Sequence, residues 1–347
     1  MLLLFTDIRP YPITNVPGSI PRMIWLSFKY KAVIVNKVTK IWVNYVAGGV
    51  ICCILLYCIY RQVATQLSGI AADAWRHTGA PVYLWLCIGL MFANTSLEGR
   101  KWHLLARTVA PVSYGRAFTS YLAGIAFSII TPNRIGEYPG RILYLGGSNT
   151  FRYINVSVLG VISQLSAVYI FGMVGLIYYN VAFPGFLPRA ALAACLVANV
   201  LTVVCYWRFE DWLPAMERIR FLRKFAIYGR LIQRISMQQL LTVLGISLLR
   251  FAIFTAQYLF LLRWMNVNVP LAQGFCLSAL FFWVMAVIPT IALTELGIRG
   301  TVSIYLFHTY SANTVGMLAA TAGVWLLNLI VPSILGCLAI FRMRILR

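Results

Sequence analysis

Carboxylates and histidines are scarce in this sequence. The 347-residue chain has eight Asp and Glu and three His against 29 Lys and Arg. His77, His103 and His308 are far apart, and no Ser/His/Asp or HExxH pattern occurs. The adjacent acidic pair Glu210 and Asp211 lies in a strongly basic stretch, and the eight cysteines lack CxxC spacing. The sequence therefore predicts no cofactor, no metal site and no enzymatic activity.

Charged residues of both signs are few, and this excludes a water-soluble core. Hydrophobic residues make up 61% of the chain and charged residues 11%, too apolar a composition for a soluble domain. Segments of roughly 18 or more mainly apolar residues, the length of a membrane-spanning helix, occur at 41–60, 81–97, 154–179, 190–207, 238–262 and 314–341. Alternating strand patterns are absent. The sequence predicts an all-α, polytopic integral membrane helical bundle with about six full spans.

The basic residues are arranged as topology signals. They cluster at 22–40, 100–116, 208–234 and 342–347. Because short cytoplasmic loops are enriched in Lys and Arg, we expect all four clusters to be cytoplasmic. The net charge of +21 then does not indicate nucleic-acid binding.

This topology defines the domain organisation. We predict a cytoplasmic N-terminal segment at 1–40, one transmembrane domain at 41–341 and a cytoplasmic tail at 342–347, in the cytoplasmic (inner) membrane. Both termini would be cytoplasmic. The first residues are broken by prolines and do not form a signal peptide, and Met23 is an alternative start.

Two segments are predicted to enter the membrane without crossing it. Three apolar segments lie between the second and third basic clusters, and both clusters are expected on the cytoplasmic side. Three crossings would place the clusters on opposite sides, so we predict that the shortest segment, 117–131, does not cross the membrane. We predict a re-entrant hairpin over 117–145. A second hairpin over 271–310 would enter from the opposite side, although three full crossings between 271 and 341 fit equally well.

The tips of the two predicted hairpins resemble each other. They read TPNRIGEYPGR and IPTIALTELGIRG, and each has a Pro, then a Glu, then an Arg four residues later: Pro132, Glu137 and Arg141 in the first, and Pro289, Glu295 and Arg299 in the second. Inverted repeats with broken helices at membrane depth are typical of transporters. The tips therefore suggest an inverted-repeat origin.

The tip residues are candidates for binding an anionic headgroup. Arg134, Arg141 and Arg299 could donate paired hydrogen bonds to a phosphate, and Glu137 and Glu295 would position them. The alternative is that the Glu–Arg pairs only pin the hairpins together. Pro139 disfavours a helix through the first motif.

Other polar residues interrupt the apolar segments. Arg250 and Gln257 are two helical turns apart and share one helix face, which would either line a substrate path or bond neighbouring helices. Asn94, Glu98 and Gln164 give a weaker signal of the same kind. The stretch EGRKW, Glu98 to Trp102, is predicted to be an interfacial anchor with Trp102 at the headgroups.

These motifs resemble a known family. RKW, TPNRIGEYPGR, RFAIFTAQY and IPTIALTELGIRG, in this order over roughly residues 35–340, are similar to the transmembrane region of lysylphosphatidylglycerol synthases and their stand-alone flippase-like relatives. The resemblance implies two re-entrant hairpins meeting near the membrane centre. It assigns Arg134, Glu137 and Arg141 to the first motif and Glu295 to the acidic position of the second. The soluble aminoacyl-transferase domain has no counterpart, so no aminoacyl transfer is expected.

The leading hypothesis is a lipid flippase that moves an anionic phospholipid or polyprenyl-linked lipid between leaflets. Two alternatives remain open. One is a membrane-embedded transferase acting on a lipid donor, and the other is a non-transporting scaffold for a partner transferase.

Overall fold

The computed structural model describes residues 46–65, 67, 78–131, 134–145, 149–219, 223, 227, 235–288 and 295–341. Within these ranges the chain is helical and contains no strand, so the all-α prediction is confirmed. The predicted terminal segments 1–40 and 342–347, the alternative start Met23, and the tip residues Pro132 and Pro289 lie outside the described residues.

The helices follow the apolar segments of the sequence. Their bounds are α1 Val46–Thr65, α2 Pro81–Arg107, α3 Tyr114–Ser128, α4 Glu137–Leu145, α5 Thr150–Ala182, α6 Phe186–Trp207, α7 Phe209–Glu217, α8 Met237–Trp264, α9 Leu271–Val287, α10 Glu295–Phe307, α11 Thr314–Trp325 and α12 Val331–Phe341. A π-helical turn, Leu326–Ile330, joins α11 to α12. The sequence encodes some starts directly. Ser236 and Gln239 form a reciprocal capping box that fixes the first turn of α8.

Five helices within the described residues are long and apolar enough to cross a membrane. They are α1, α5, α6, α8 and the continuous segment Thr314–Phe341. Helix α2 has 27 residues, but its second half carries Asn94, Glu98 and Lys101, and it falls outside this set. The multi-pass membrane character is confirmed, and the count of six spans stays a prediction.

Helices α3 and α4 form an antiparallel hairpin. Arg116 donates to the Leu145 carbonyl (3.1 Å), and Ser120 donates to the Arg141 carbonyl (3.0 Å), so the residue numbers run in opposite directions across the contact. With 15 and 9 residues, the helices are about 22 and 14 Å long at about 1.5 Å per residue. Each is shorter than the roughly 30 Å hydrocarbon core. The re-entrant arrangement itself stays a prediction.

Glycine allows this hairpin to close tightly. A Cβ added at Gly124 of α3 would lie 2.5 Å from the Glu137 carbonyl oxygen and 2.5 Å from the Arg141 Cγ. Pro139 lies in the first turn of α4, where proline costs no intrahelical hydrogen bond. The helix therefore runs through the motif, and Glu137 and Arg141 share one face.

Adding a methyl group at Gly124 should open the hairpin. We expect Gly124→Ala to destabilise the protein by about 1–3 kcal/mol, because backbone atoms must move to admit the side chain. Thermal unfolding of the detergent-solubilised protein measures this. Gly245→Ala in α8 is the control, since an added Cβ there meets no described atom within 4 Å. Equal midpoints for both variants would contradict the close approach.

Among the described residues, the core consists of two buried hydrophobic clusters. The first contains Trp102 and Trp325 and is built by α1–α5, α12 and neighbouring segments. The second contains Tyr258, Phe281 and Phe307 and is built largely by α5 and α8–α11. Helix α8 packs against α2, α5, α9 and α11. Because α8 also faces the charged half of α2, polar groups are brought between the two clusters.

Candidate functional site

A cavity of about 350 Å³ lies between the two clusters. Its walls come from α2–α5, α8–α10 and the π turn. The ionisable side chains that line it are Glu98, Lys101, Arg134, Glu137, Tyr138, Arg141, Arg250, Arg299 and Tyr121. Charged side chains from α2, α4, α8, α10 and the α3–α4 connection therefore line one cavity.

Glu98 is the centre of this charge cluster. Its Oε2 accepts from Lys101 Nζ at 2.8 Å and from Arg250 Nη1, and its Oε1 accepts from Arg141 Nη2 at 3.0 Å. The side chains of Glu98, Lys101 and Arg141 are all below 10% exposed. One carboxylate thus joins α2, α4 and α8. An ion is costly at this depth unless it is paired in this way.

Arg141 connects the α3–α4 hairpin to that centre. Its Nη2 donates to both Glu98 and Glu137, and its guanidinium lies over the rings of Tyr121 (4.8 Å) and Trp102 (5.3 Å). The residue is 5% exposed. Its Nε is buried without a hydrogen-bond partner among the described residues. Arg141 therefore links the hairpin to two carboxylates and two aromatic rings.

Arg250 connects α8 to three polar partners. Its Nε donates to Asn94 Oδ1 (3.0 Å) and its Nη1 donates to Gln164 Oε1 (2.9 Å) as well as to Glu98. Gln164 also accepts from Lys101 (3.2 Å). The residues Asn94, Glu98 and Gln164, which gave only a weak signal in the sequence, are all direct partners of Arg250.

A chain of amides extends this network away from the cavity. Asn94 donates to Asn328 (3.0 Å), Asn328 donates to Gln257 (2.8 Å), and Gln257 donates to the Cys87 carbonyl (2.9 Å). Asn328 lies in the π turn, a feature often found at functional sites. Gln257 is fully buried and does not line the cavity. Its described contacts bond helices together.

Part of the cavity wall is apolar. The lining residues from α9 are Phe282, Met285 and Ala286, and α8 adds Phe251 and Phe254 beside Arg250. The ring centroids of Phe254 and Phe282 are 4.5 Å apart. The same cavity therefore presents both a cationic surface and an aromatic surface.

Each of the two predicted hairpin tips contributes an arginine to the lining of this cavity. Arg134 lies between α3 and α4 with a left-handed backbone (φ 58°) and lines the cavity, and Arg299 lines it from α10. A positive φ of this size is uncommon for residues other than Gly, Asn and Asp. Glu295 begins α10, and its side chain lies outside the described residues. Arg134, Glu137, Arg141, Arg250 and Arg299 thus line one cavity, and ligand binding by these residues stays a prediction.

The predicted interfacial anchor is wrong. Trp102 is fully buried, and its indole nitrogen donates to Ser120 Oγ at 3.0 Å. Lys101, expected in a cytoplasmic cluster, is 3% exposed inside the bundle. The spacing of Asn94, Glu98 and Lys101, all on one face of an apolar helix, was the signal that could have identified this half of the site.

The fold and the cavity define a class: a multi-pass helical membrane protein with a buried, mainly cationic cavity. The family model for the lysylphosphatidylglycerol synthase TM region matches residues 37–336. The chain therefore belongs to this family, and the resemblance in its motifs is confirmed. No curated protein matches the chain.

Proposed function

We propose that this protein binds the anionic headgroup of a lipid in the charged cavity and moves the lipid between the leaflets of the membrane. The observation that supports the proposal is that the cavity has both a cationic and an aromatic surface, because a lipid has a charged end and an apolar end. Arginines and Lys101 would hold the headgroup, while Phe251, Phe254 and Phe282 would contact the first part of the chain. In this proposal no covalent bond of the lipid is formed or broken.

Membership in a lipid-related family supports this function. The geometry adds a reason for an anionic ligand. Guanidinium groups form strong, charge-assisted hydrogen bonds to phosphate oxygens, and four arginines line one cavity. The short helices α3 and α4 would enter from one side of the membrane, and α9 with α10 from the other, so that a headgroup could reach the cavity from either leaflet.

Neutralising Arg250 tests the proposal. In proteoliposomes containing a fluorescent anionic phospholipid, we expect wild type to accelerate its movement between leaflets and Arg250→Gln to lower that rate at least about tenfold, since a charged partner of buried groups is lost. Arg263→Gln, also in α8, is the matched control because Arg263 does not line the cavity and donates to the Val269 carbonyl.

The outcomes separate the proposed function from its rivals. An equal loss in both variants would show that the cavity has no special role. No accelerated movement by wild type would overturn translocation and favour a scaffold. Net chemical conversion of the lipid would favour a transferase.

A further inference from the structure

Lys101 differs from the other cations that line the cavity. Among the described lining residues, the others are arginines: Arg134, Arg141, Arg250 and Arg299. A guanidinium keeps its proton in proteins, whereas the ammonium of a buried lysine can release one. Lys101 is 3% exposed, and no other lysine occurs between residues 41 and 223 of the sequence. Lys101 is therefore the cation of this described set whose charge can change.

The groups around Lys101 accommodate both of its charge states. Its Nζ donates to Glu98 (2.8 Å) and to Gln164 (3.2 Å). If Lys101 releases a proton, Glu98 keeps Arg141 and Arg250 as partners and remains a paired carboxylate. A neutral amine can still donate to Gln164. The titratable groups that the neighbouring helices add to these surroundings are Tyr121 of α3, Arg141 of α4 and Arg250 of α8.

A row of hydroxyl groups connects Lys101 to the end of α6. Lys101 Nζ donates to Ser247 Oγ (3.5 Å), and Ser163 Oγ lies 2.9 Å from Ser247 Oγ. The Tyr206 hydroxyl interacts with Ser163 and donates to the Leu240 carbonyl at 2.6 Å. Both serines are fully buried. Because a hydroxyl both donates and accepts, this hydroxyl row of Ser247, Ser163 and Tyr206 can pass a proton.

The hydroxyl row ends on the side that the basic residues predict to be cytoplasmic. Tyr206 is the second-last residue of α6, and the side chain of Arg208, two residues later, is 71% exposed. Arg208 begins the basic cluster 208–234, which we expect in the cytoplasm. The hydroxyl row therefore runs from the cavity toward the predicted cytoplasmic surface.

We propose that Lys101 binds and releases one proton in each transport cycle, so that movement of an anionic lipid is coupled to a proton gradient. This inference rests on the proposed function and adds its energy source. After the lipid leaves, the Lys101 ammonium gives a proton to Ser247 Oγ, Ser247 passes its own proton to Ser163, and Tyr206 releases one toward water. Each hydroxyl gains one proton and loses one, and no bond of the lipid changes.

Linkage between two ligands of one site provides the coupling. An anion that binds beside Lys101 stabilises the ammonium form, and by reciprocity protonation of Lys101 raises the affinity for the anion. A lipid with a single negative charge and one proton together add no net charge to the site. The proton and the lipid therefore move in the same direction.

Proteoliposomes under a pH gradient test this coupling. A chain-labelled phosphatidylglycerol, which carries one negative charge, is added to the outer leaflet of phosphatidylcholine vesicles. The outside is one pH unit more acidic, and potassium with valinomycin holds the membrane potential at zero. For wild type we expect an inner-to-outer ratio of label of about ten, the limit for one proton per lipid, and a ratio near one when nigericin removes the gradient. Protein-free vesicles give the background.

Lys101→Arg keeps the positive charge but cannot release a proton. From the same start, we expect this variant to bring the label to a ratio near one and no further, more slowly than wild type. Arg263→Lys is the matched control, because Arg263 does not line the cavity, and it should reach the wild-type ratio. A ratio near ten in Lys101→Arg would overturn the inference.

A second variant decides the question if Lys101→Arg moves no lipid. Ser247→Ala interrupts the hydroxyl row, and Ser247 does not line the cavity. We expect accumulation under the gradient to be at least about tenfold slower than in wild type, since positioned proton transfer contributes at least that factor. Thr242→Ala, which removes an exposed hydroxyl of α8 that donates to the Gln238 carbonyl (2.7 Å), should keep the wild-type rate. Equal rates in the two serine and threonine variants would contradict the relay.

The inference and the proposed function fail in different ways. If wild type moves the label quickly but the gradient does not raise the ratio above one, the translocator remains and proton coupling is wrong. If no label moves, the proposed function fails.

Discussion

Replacing Glu98 by Gln will reduce lipid movement in proteoliposomes to the rate of protein-free vesicles. Glu98 is the shared partner of Lys101, Arg141 and Arg250, and without its charge three buried cations repel one another. Removing one member of a buried ion network costs about 3–5 kcal/mol, so the apparent free energy of unfolding should fall by a similar amount. Lipid flux and thermal unfolding measure the two effects.

Asp211→Asn is the control for this change. Asp211 is 70% exposed and lies 3.9 Å from Arg208, and an exposed ion pair of this kind contributes about 0–1 kcal/mol. We expect normal flux and nearly normal stability. Wild-type flux in Glu98→Gln would show that the Glu98 centre is not part of the translocation site.

A double variant distinguishes loss of folding from loss of function. Glu98→Gln combined with Arg250→Gln removes one charge of each sign, so the net charge of the protein equals that of wild type. Part of the lost stability should be regained, and the difference from additivity measures the coupling of the pair. Lipid movement should stay absent, because Arg250, one of the proposed headgroup contacts, has lost its charge.

Replacing Arg141 by Ala will remove the lipid that copurifies with the protein. Arg141 is the described link between the α3–α4 hairpin and Glu98, and it also faces Trp102 and Tyr121. We expect native mass spectrometry to show at least about a tenfold loss of bound anionic lipid. Stability should fall by about 3 kcal/mol, because Glu98 keeps Lys101 and Arg250.

Arg116→Ala is a control from the same hairpin. Arg116 donates to the Leu145 carbonyl at the opposite end of α3 and α4 and does not line the cavity. Arg141→Lys should also lose the lipid, because lysine lacks the planar guanidinium that lies over the rings of Trp102 and Tyr121 and has fewer N–H donors. Equal, unselective lipid profiles in wild type and Arg141→Ala would indicate that the Glu–Arg pairs act only as structural pins.

The Glu–Arg contact in the first tip motif could be predicted from the sequence, because carboxylates are rare in this chain and the tip glutamate has an arginine four residues later. Glu137 and Arg141 are four residues apart, a local relation that helical geometry makes a contact. The apolar segments likewise predicted most long helices, since hydrophobic length is a local property.

The centre of the site could not be assigned in this way. Glu98 meets Arg141 and Arg250, which are 43 and 152 residues away, and no local rule predicts such partners. The prediction that Trp102 lies at the membrane interface was wrong for a related reason. Tryptophan and basic residues are common at membrane interfaces, and only the tertiary packing shows that Glu98 neutralises Lys101 inside the bundle.

The π turn at Leu326–Ile330 makes the length of the last segment a constraint. Asn328 bonds to Asn94 and Gln257 on one side of the turn, and Ser333 donates to the Ile125 carbonyl (3.4 Å) on the other. Each residue advances an α-helix by about 100°. Deleting a single residue between these positions would turn α12 by about that angle and separate Ser333 from α3. We therefore expect insertions and deletions between Asn328 and Ser333 to disrupt the packing, even though the sequence of this segment is uniformly apolar apart from these two residues.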